Sequence, residues 1–169
     1  MYEMERRWKL KGQIPKDNII RQMYIEQCYS NLKTPDVRIR KLVENDKESY
    51  FHTVKYKTDT KNSRIEIEQS IDKETYDEIF DIINKKPVKK NRYIVEISDE
   101  IYAEIDEFLD SNDIVVEVEF PDEEMMKNFE KPDWFGKEIK EKYSINHDVF
   151  SKINKTNFTW IDYLDKFNN

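Results

Sequence analysis

The sequence is poor in the residues that build disulfide frameworks and zinc sites. Its 169 residues include one cysteine, Cys28, and two histidines, His52 and His147. A single cysteine excludes an internal disulfide, and two separated histidines are too few for a typical zinc site. The N-terminus also lacks the apolar stretch of a signal peptide or a membrane span. We therefore expect a cytoplasmic protein.

The chain also has no excess of positive charge. It carries 29 Lys and Arg against 36 Asp and Glu, a net charge of −7, and no basic tail. This balance disfavours nonspecific attraction to nucleic acid or to anionic membranes. Charged residues reach 38%, but aromatic residues at 13% argue for a folded chain rather than a disordered one. The length fits a single domain, 1–169.

Glycine is scarce as well, with only two residues. Tight turns must therefore come from asparagine and aspartate, which tolerate left-handed geometry, as in Glu44-Asn45-Asp46, Lys61-Asn62-Ser63 and Ser111-Asn112-Asp113. Between such turns, apolar and charged residues alternate with the period of two that is typical of strands. The pattern predicts about eight antiparallel strands at 2–10, 21–27, 37–42, 51–57, 64–71, 92–97, 101–108 and 114–120.

Helical periodicity appears in two regions. Between 73 and 86, apolar residues recur at i, i+3, i+4 and i+7, and Pro87 ends the pattern: Tyr76, Ile79, Phe80 and Ile83. After Pro121 the chain is mostly helical, with Met126 and Phe129 in one short helix and Ile161, Leu164 and Phe167 in a C-terminal helical segment, 147–169. We expect these helices to pack around the outside of the sheet.

The charged residues of the predicted strands come in doublets of one sign. Three strands carry Glu-x-Glu and one carries Arg-x-Arg, and each doublet projects to a single face of its strand. An open sheet with a solvated charged face is one explanation, but it predicts a mixture of polar types. If the strands close into a barrel, the charged faces line its interior. Carboxylates there would share a divalent cation, and Arg and Lys would share an oligophosphate.

The doublets, in their order, resemble the motifs of the CYTH domain, or triphosphate tunnel metalloenzyme, family. The similarity covers about 2–146 and is carried by Glu3-Met4-Glu5-Arg6-Arg7, Ile20-Arg21-Gln22-Met23-Tyr24, Arg38-Ile39-Arg40, Thr53-Val54-Lys55, Arg64-Ile65-Glu66-Ile67-Glu68, Lys90-Asn91-Arg92-Tyr93, Ile105-Asp106-Glu107-Phe108 and Glu117-Val118-Glu119. Phe129, Pro132, Trp134, Gly136 and Glu138 fall in the pattern that follows. Arg7 replaces the family lysine, and Met23 stands where glycine is usual.

The resemblance implies an α+β fold, in which a closed eight-stranded antiparallel β-barrel forms a triphosphate tunnel and helices pack outside. It implies phosphate binding by Arg7, Arg38, Arg40, Lys55, Lys90 and Arg92. It implies Mg²⁺ or Mn²⁺ on Glu3, Glu5, Glu66, Glu68, Glu117 and Glu119, with Asp106 and Arg64 in supporting roles. Lys90 and Tyr24 are similar to a lysine–tyrosine pair linked with catalysis in some family members. Because arginine cannot give up a proton near neutral pH, Arg7 is expected to act only as a fixed charge.

Three functions remain open from the sequence. The first is metal-dependent hydrolysis of inorganic tripolyphosphate or another triphosphate. The second is a class IV adenylate cyclase, which would need a purine site that the sequence does not reveal. The third is a noncatalytic polyphosphate-binding module. The partner in each case is a small-molecule triphosphate or polyphosphate, and a homodimer is left open.

Overall fold

The computed structural model describes residues 2–30, 36–57, 63–98, 100–111 and 113–139. These residues form nine strands, two α-helices and a short 3₁₀ turn at Lys16–Asn18. The strands are β1 (Tyr2–Leu10), β2 (Ile19–Tyr29), β3 (Asp36–Glu44), β4 (Lys47–Lys57), β5 (Ser63–Ile71), β6 (Val88–Ser98), β7 (Ile101–Phe108), β8 (Ile114–Phe120) and β9 (Phe135–Ile139). The helices are α1 (Lys73–Ile83) and α2 (Glu123–Asn128). The predicted helical segment 147–169 lies outside the described residues.

All nine strands belong to one antiparallel sheet with the order β5-β4-β3-β2-β6-β7-β8-β1-β9. Strand β1 also pairs with β5, through Tyr2, Glu3 and Met4. On that same edge β1 pairs with β9 from Arg7 to Leu10. The sheet therefore curls, and the charged faces of its strands look toward one another.

The predicted closed eight-stranded barrel surrounded by helices is wrong. The sheet has nine strands, and β1 meets β5 over only three residue pairs, because β9 occupies the rest of that edge. Only two α-helices accompany the strands in the described part of the chain. Strand β9 was not predicted because its five residues, Phe-Gly-Lys-Glu-Ile, are few and include a glycine. Its pairing depends on the distant β1 edge.

Most of the predicted elements are present. The bounds predicted for β1, β7 and β8 are confirmed, and β2, β3, β4 and β6 are longer than predicted. Asn45 and Asp46 form the β3–β4 turn with φ of 50° and 61°, the left-handed geometry expected of them. Helix α1 starts where Asp72 caps the backbone N–H of Thr75, and it ends at Asn84 in left-handed geometry, before Pro87. Phe129 follows α2 as its C-cap instead of lying within it.

The hydrophobic core lies on the outer, convex side of the curled sheet. One cluster packs the outer faces of β1, β7 and β8 beneath β9 and α2, and it includes Trp8, Val116, Val118, Phe120, Met126 and Phe135. A second cluster joins α1 to the neighbouring strands through Cys28, Ile39, Tyr50 and Tyr76. Ile67 on β5 lies outside both clusters and is 57% exposed. Burial of apolar surface thus holds the sheet from outside and leaves the concave side to charged groups.

Neither helix of the described residues is long and apolar enough to cross a membrane.

Candidate active site

A cavity of about 160 Å³ lies on the concave side of the sheet. Seven cationic side chains from five strands line it: Arg7, Arg38, Arg40, Lys55, Arg64, Lys90 and Arg92. Six carboxylates line it too: Asp36, Glu66, Glu104, Asp106, Glu117 and Glu119. Every residue predicted to bind phosphate is therefore in one cavity. The charges nearly balance, so an anion can bind strongly only where it displaces a carboxylate or enters with a cation.

The cationic strand β6 is joined to β7 by a buried carboxylate. Asp106 accepts hydrogen bonds from Lys90 Nζ at 2.5 Å, Arg92 Nε at 2.6 Å and Arg92 Nη2 at 2.7 Å. Arg92 also pairs with Glu104. Burial alone would raise the pKa of Asp106, but Arg92 and Lys90 outweigh it and hold that pKa below its usual value. Asp106 therefore stays ionised and fixes both cations.

Lys90 has the lowered pKa that catalytic lysines often show. Burial and the nearby charges of Arg92 and Arg38 lower its pKa to about 8, and the attraction of Asp106 keeps it from falling further. A lysine in this state is partly neutral near physiological pH. It can therefore either hold a phosphate or accept a proton.

A second group of charges joins β1 to β8. The register sets Glu5 opposite Glu119 and Arg7 opposite Glu117. Arg7 Nη2 donates to Glu5 Oε1 at 2.6 Å, and Arg7 Nε donates to Glu117. Burial raises the pKa of Glu5. For Glu117, Arg7 and Arg92 overcome burial and lower the pKa to about 2.

The same carboxylates fit a divalent cation. Oxygen atoms from Glu5, Glu117 and Glu119 lie within 4.8 Å of one another. Glu5 is 1% exposed, and its Oε2 is buried without a hydrogen-bond partner. A buried carboxylate oxygen without a partner is costly unless a ligand satisfies it. Three carboxylates are also the hard oxygen donors that Mg²⁺ and Mn²⁺ prefer.

Of the remaining predicted metal ligands, Glu66 and Glu68 pair with cations of other strands. Glu66 pairs with Lys55 and, at 3.7 Å, with Arg38. Glu68 accepts hydrogen bonds from Arg40 at 2.5 Å and from Thr53 at 2.8 Å. The structure therefore does not group Glu66 and Glu68 with the three carboxylates of β1 and β8. The side chain of Glu3 lies outside the described residues, and the supporting residue Arg64 approaches Glu5 Oε1 at 3.4 Å.

Tyr24, the predicted partner of Lys90, lies on the wrong face of β2 for that role. The register pairs Ile25 with Lys90 and Tyr24 with Asn91, so Tyr24 projects away from the cavity. Its hydroxyl donates to Glu26 Oε2 at 3.1 Å. Burial, with help from Glu26, raises the pKa of Tyr24 to about 12. The structure does not bring Tyr24 and Lys90 together.

Several residues that line the cavity were not singled out from the sequence: Gln27, Tyr29, Asp36, Phe108 and Val115. Tyr29 lies beyond the predicted end of β2, and its hydroxyl accepts a hydrogen bond from Gln27 Nε2 at 2.9 Å. The alternation of side chains along β2 could have identified Gln27 and Tyr29 from the sequence. They share the face of Ile25, which pairs with Lys90.

The fold and the site together define a class of protein. A curled antiparallel sheet with a hydrophobic exterior encloses buried arginines, lysines and carboxylates, an arrangement suited to an oligophosphate accompanied by a divalent cation. Comparison with known proteins narrows this class, although no family model matches the chain.

Two curated relatives are inorganic triphosphatases. The protein from Acetivibrio thermocellus is 35% identical over 140 residues, which cover 81% of this chain and 85% of that protein. The protein from Nitrosomonas europaea is 30% identical over 143 residues, which cover 83% of this chain and 91% of that protein. A crystal structure of an inorganic triphosphatase is 27% identical, with a TM-score of 0.56 and coverage of 83% of this chain and 87% of the other. The chain belongs to the family of these triphosphatases, the CYTH or triphosphate tunnel metalloenzyme family.

Proposed function

We propose that this protein hydrolyses triphosphates with the help of Mg²⁺ or Mn²⁺ and that inorganic tripolyphosphate is its preferred substrate. The observation that carries the proposal is the cavity itself, in which seven cations face six carboxylates. The similarity to inorganic triphosphatases supports the same reaction.

Phosphate binding is the role of the arginines and lysines. Arg38, Arg40 and Arg92 can each grip two phosphate oxygens in a forked geometry, while Lys55 supplies a point charge. In the structure these groups pair with the carboxylates of Glu66, Glu68 and Asp106. A triphosphate therefore exchanges one set of ion pairs for another, and the buried cations do not have to be desolvated anew.

Glu5, Glu117 and Glu119 would hold the divalent cation. When bound, such a cation neutralises charge that develops on the transferred phosphoryl group. The carboxylates keep it at the β1–β8 side of the cavity. Lys90, Arg92 and Asp106 lie on β6 and β7.

Lys90 is our candidate for the proton acceptor. Its lowered pKa gives a neutral fraction near physiological pH, as a general base requires. Asp106 holds Nζ in position, and Arg92 remains charged beside it. In this scheme the Lys90 amine takes a proton from the attacking water, and the resulting ammonium stabilises the phosphate that is released.

The cavity wall also favours an inorganic substrate over a nucleotide. Among its lining residues only Tyr29 and Phe108 are aromatic, each is 7% exposed, and the Tyr29 hydroxyl is already bonded to Gln27. A nucleoside would thus add bulk with little to stack on. Discrimination of one or two powers of ten needs only about 1.4–2.8 kcal/mol.

The test measures initial rates on tripolyphosphate, ATP and pyrophosphate at matched free Mg²⁺, with orthophosphate, pyrophosphate and cyclic AMP as products. We expect tripolyphosphate to give the highest kcat/KM. Pyrophosphate should be poor because it is too short to reach both the carboxylates and the distal arginines. Preferential conversion of ATP to cyclic AMP would establish the cyclase function instead, and binding without turnover would indicate a noncatalytic module.

A matched pair of variants links the activity to the cavity. Lys90→Met should reduce kcat strongly, because it removes the proton acceptor. Lys89→Met is the control, since Lys89 lies on the opposite face of β6, is 43% exposed in its side chain and pairs only loosely with Glu26 at 3.7 Å. Equal loss of activity in both variants would contradict the assignment.

A further inference from the structure

Arg7 occupies a position that the proposed function would give to the metal ion. Its guanidinium lies between Glu5 and Glu117, two of the three carboxylates that fit a divalent cation. The group is well enclosed, since Arg7 is 8% and Glu5 1% exposed. The chain therefore supplies a cation of its own among these carboxylates.

The bridge between Glu5 and Glu117 depends on the two hydrogen-bond donors of one guanidinium group. Nη2 donates to Glu5, and Nε donates to Glu117 on the neighbouring strand. Two donors on one rigid group can bridge two carboxylates in fixed positions, whereas the ammonium of a lysine is a single nitrogen on a flexible stem. Arginine also cannot lose its charge near neutral pH, so deprotonation cannot release the carboxylates.

We infer that Arg7 is a built-in competitor of the divalent cation, which lowers metal affinity in the ligand-free protein and turns to the substrate phosphates once the metal has taken Glu5 and Glu117. The inference rests on the proposed metal role of these carboxylates. It follows that metal and triphosphate bind cooperatively. The metal replaces Arg7 as the partner of Glu5 and Glu117, and the triphosphate replaces these carboxylates as the partner of Arg7.

The proposal is tested by titrating the substrate-free protein with Mn²⁺. Binding is measured by calorimetry and by the electron paramagnetic resonance signal of free Mn²⁺. Arg7→Met removes the competing charge, and we expect Mn²⁺ to bind roughly 5- to 150-fold more tightly, the usual range for coupled sites. Arg7→Lys keeps the positive charge but loses the bridge between Glu5 and Glu117, so its Mn²⁺ affinity should lie between those of the parent and Arg7→Met.

Arg6→Met is the matched control. Arg6 is the preceding residue on the opposite face of β1, where it pairs with Glu138 at 2.8 Å and not with the three carboxylates. Its loss should leave Mn²⁺ affinity unchanged.

Arg7→Met removes the cation that bridges Glu5 and Glu117, leaves Arg64 at 3.4 Å from Glu5, and therefore risks unfolding. In that event Arg7→Lys and the Mn²⁺-induced rise in the midpoint of thermal unfolding decide the question. A larger rise in Arg7→Lys than in the parent supports the competition. Unchanged or weaker Mn²⁺ binding in the folded Arg7 variants overturns it. Hydrolysis of tripolyphosphate is measured separately, so failure of this inference and failure of the proposed function are distinguishable.

Discussion

Replacing Asp106 with asparagine should move the pH dependence of the reaction to lower pH. Asp106 Oδ2 lies 2.5 Å from Lys90 Nζ, and its charge opposes the burial and the neighbouring arginines that lower the pKa of Lys90 to about 8. Without that charge the ammonium loses its stabilising partner, so the pKa of Lys90 must fall. Removal of a close opposite charge typically changes a pKa by about 1–3, or roughly 1.4–4 kcal/mol.

The assay is kcat/KM for tripolyphosphate as a function of pH, because this parameter reports ionisations of the free enzyme. The pH profile of the parent should show a sloping limb, with its midpoint near pH 8, that reports the ionisation of Lys90. In Asp106→Asn the limb should appear at about pH 5–7. The shift to lower pH is expected whether kcat/KM rises or falls along this limb, since either slope would report the ionisation of Lys90.

Glu107→Gln is the control for this experiment. Glu107 is the next residue on β7, but it faces outward and accepts its hydrogen bonds from Asn91 and Tyr93. Its variant should keep the parent's limb. A limb in folded Asp106→Asn that is unmoved, or that lies at higher pH, would refute the assigned pairing of Lys90 and Asp106.

Four further outcomes are expected. Arg7 and Arg92 overcome burial to lower the pKa of Glu117 from 4.5 to about 2, so the stability it contributes is present above pH 4.5 and lost as the pH falls toward 2. The difference between the parent and Glu117→Gln in the free energy of unfolding, measured with urea, should narrow as the pH falls from 4.5 toward 2. A difference that stays constant would contradict this role of Glu117. In Gly136→Ala the new Cβ would lie 2.9 Å from the Lys9 carbonyl oxygen, so urea unfolding should show a loss of about 1–3 kcal/mol, whereas unchanged stability would mean that β9 adjusts freely. Chelation followed by dialysis should stop hydrolysis until Mg²⁺ is returned, and Glu119→Lys should be inactive but folded; full activity in either case would remove the metal from the mechanism.

The strands whose alternation is strict were predicted to the residue. In β1, β7 and β8 nearly every second side chain is apolar and packs on the outer side of the sheet. Strand β9 is different because its partner is the edge of β1, far away in sequence. A short segment with a glycine carries no local pattern that identifies such an edge. The extra strand and the limited β1–β5 pairing therefore had to come from the structure.

The site shows a similar division. Period-two alternation predicts only that the members of a doublet share a face of their strand. The resemblance to the family implied that the cations of different strands bind one substrate, and the structure brings them into one cavity. Which carboxylates meet depends on cross-strand register, which a single sequence does not give. The resemblance implies that Glu66 and Glu68 join Glu5 as metal ligands, whereas in the structure they pair with cations of β3 and β4. Tyr24 fails for a simpler reason, since its parity on β2 is opposite to that of the cavity residues.

The position of β1 has a consequence for the way this protein folds. Strand β1 precedes the other described strands along the chain, and within the described residues it pairs with β5, β8 and β9, through contacts as distant as the 132 positions between Arg6 and Glu138. Neighbouring hairpins such as β3–β4 can form early, but β1 must wait until its partners have emerged from the ribosome. Because β1 carries Glu5 and Arg7, the charged cavity can be completed only after β8, which carries Glu117 and Glu119, is available. A nascent or truncated chain that lacks the β8 and β9 segments could pair β1 only with β5, through Tyr2, Glu3 and Met4, and would expose the rest of the strand. Uncovered strands of this kind are bound by chaperones and tend to aggregate.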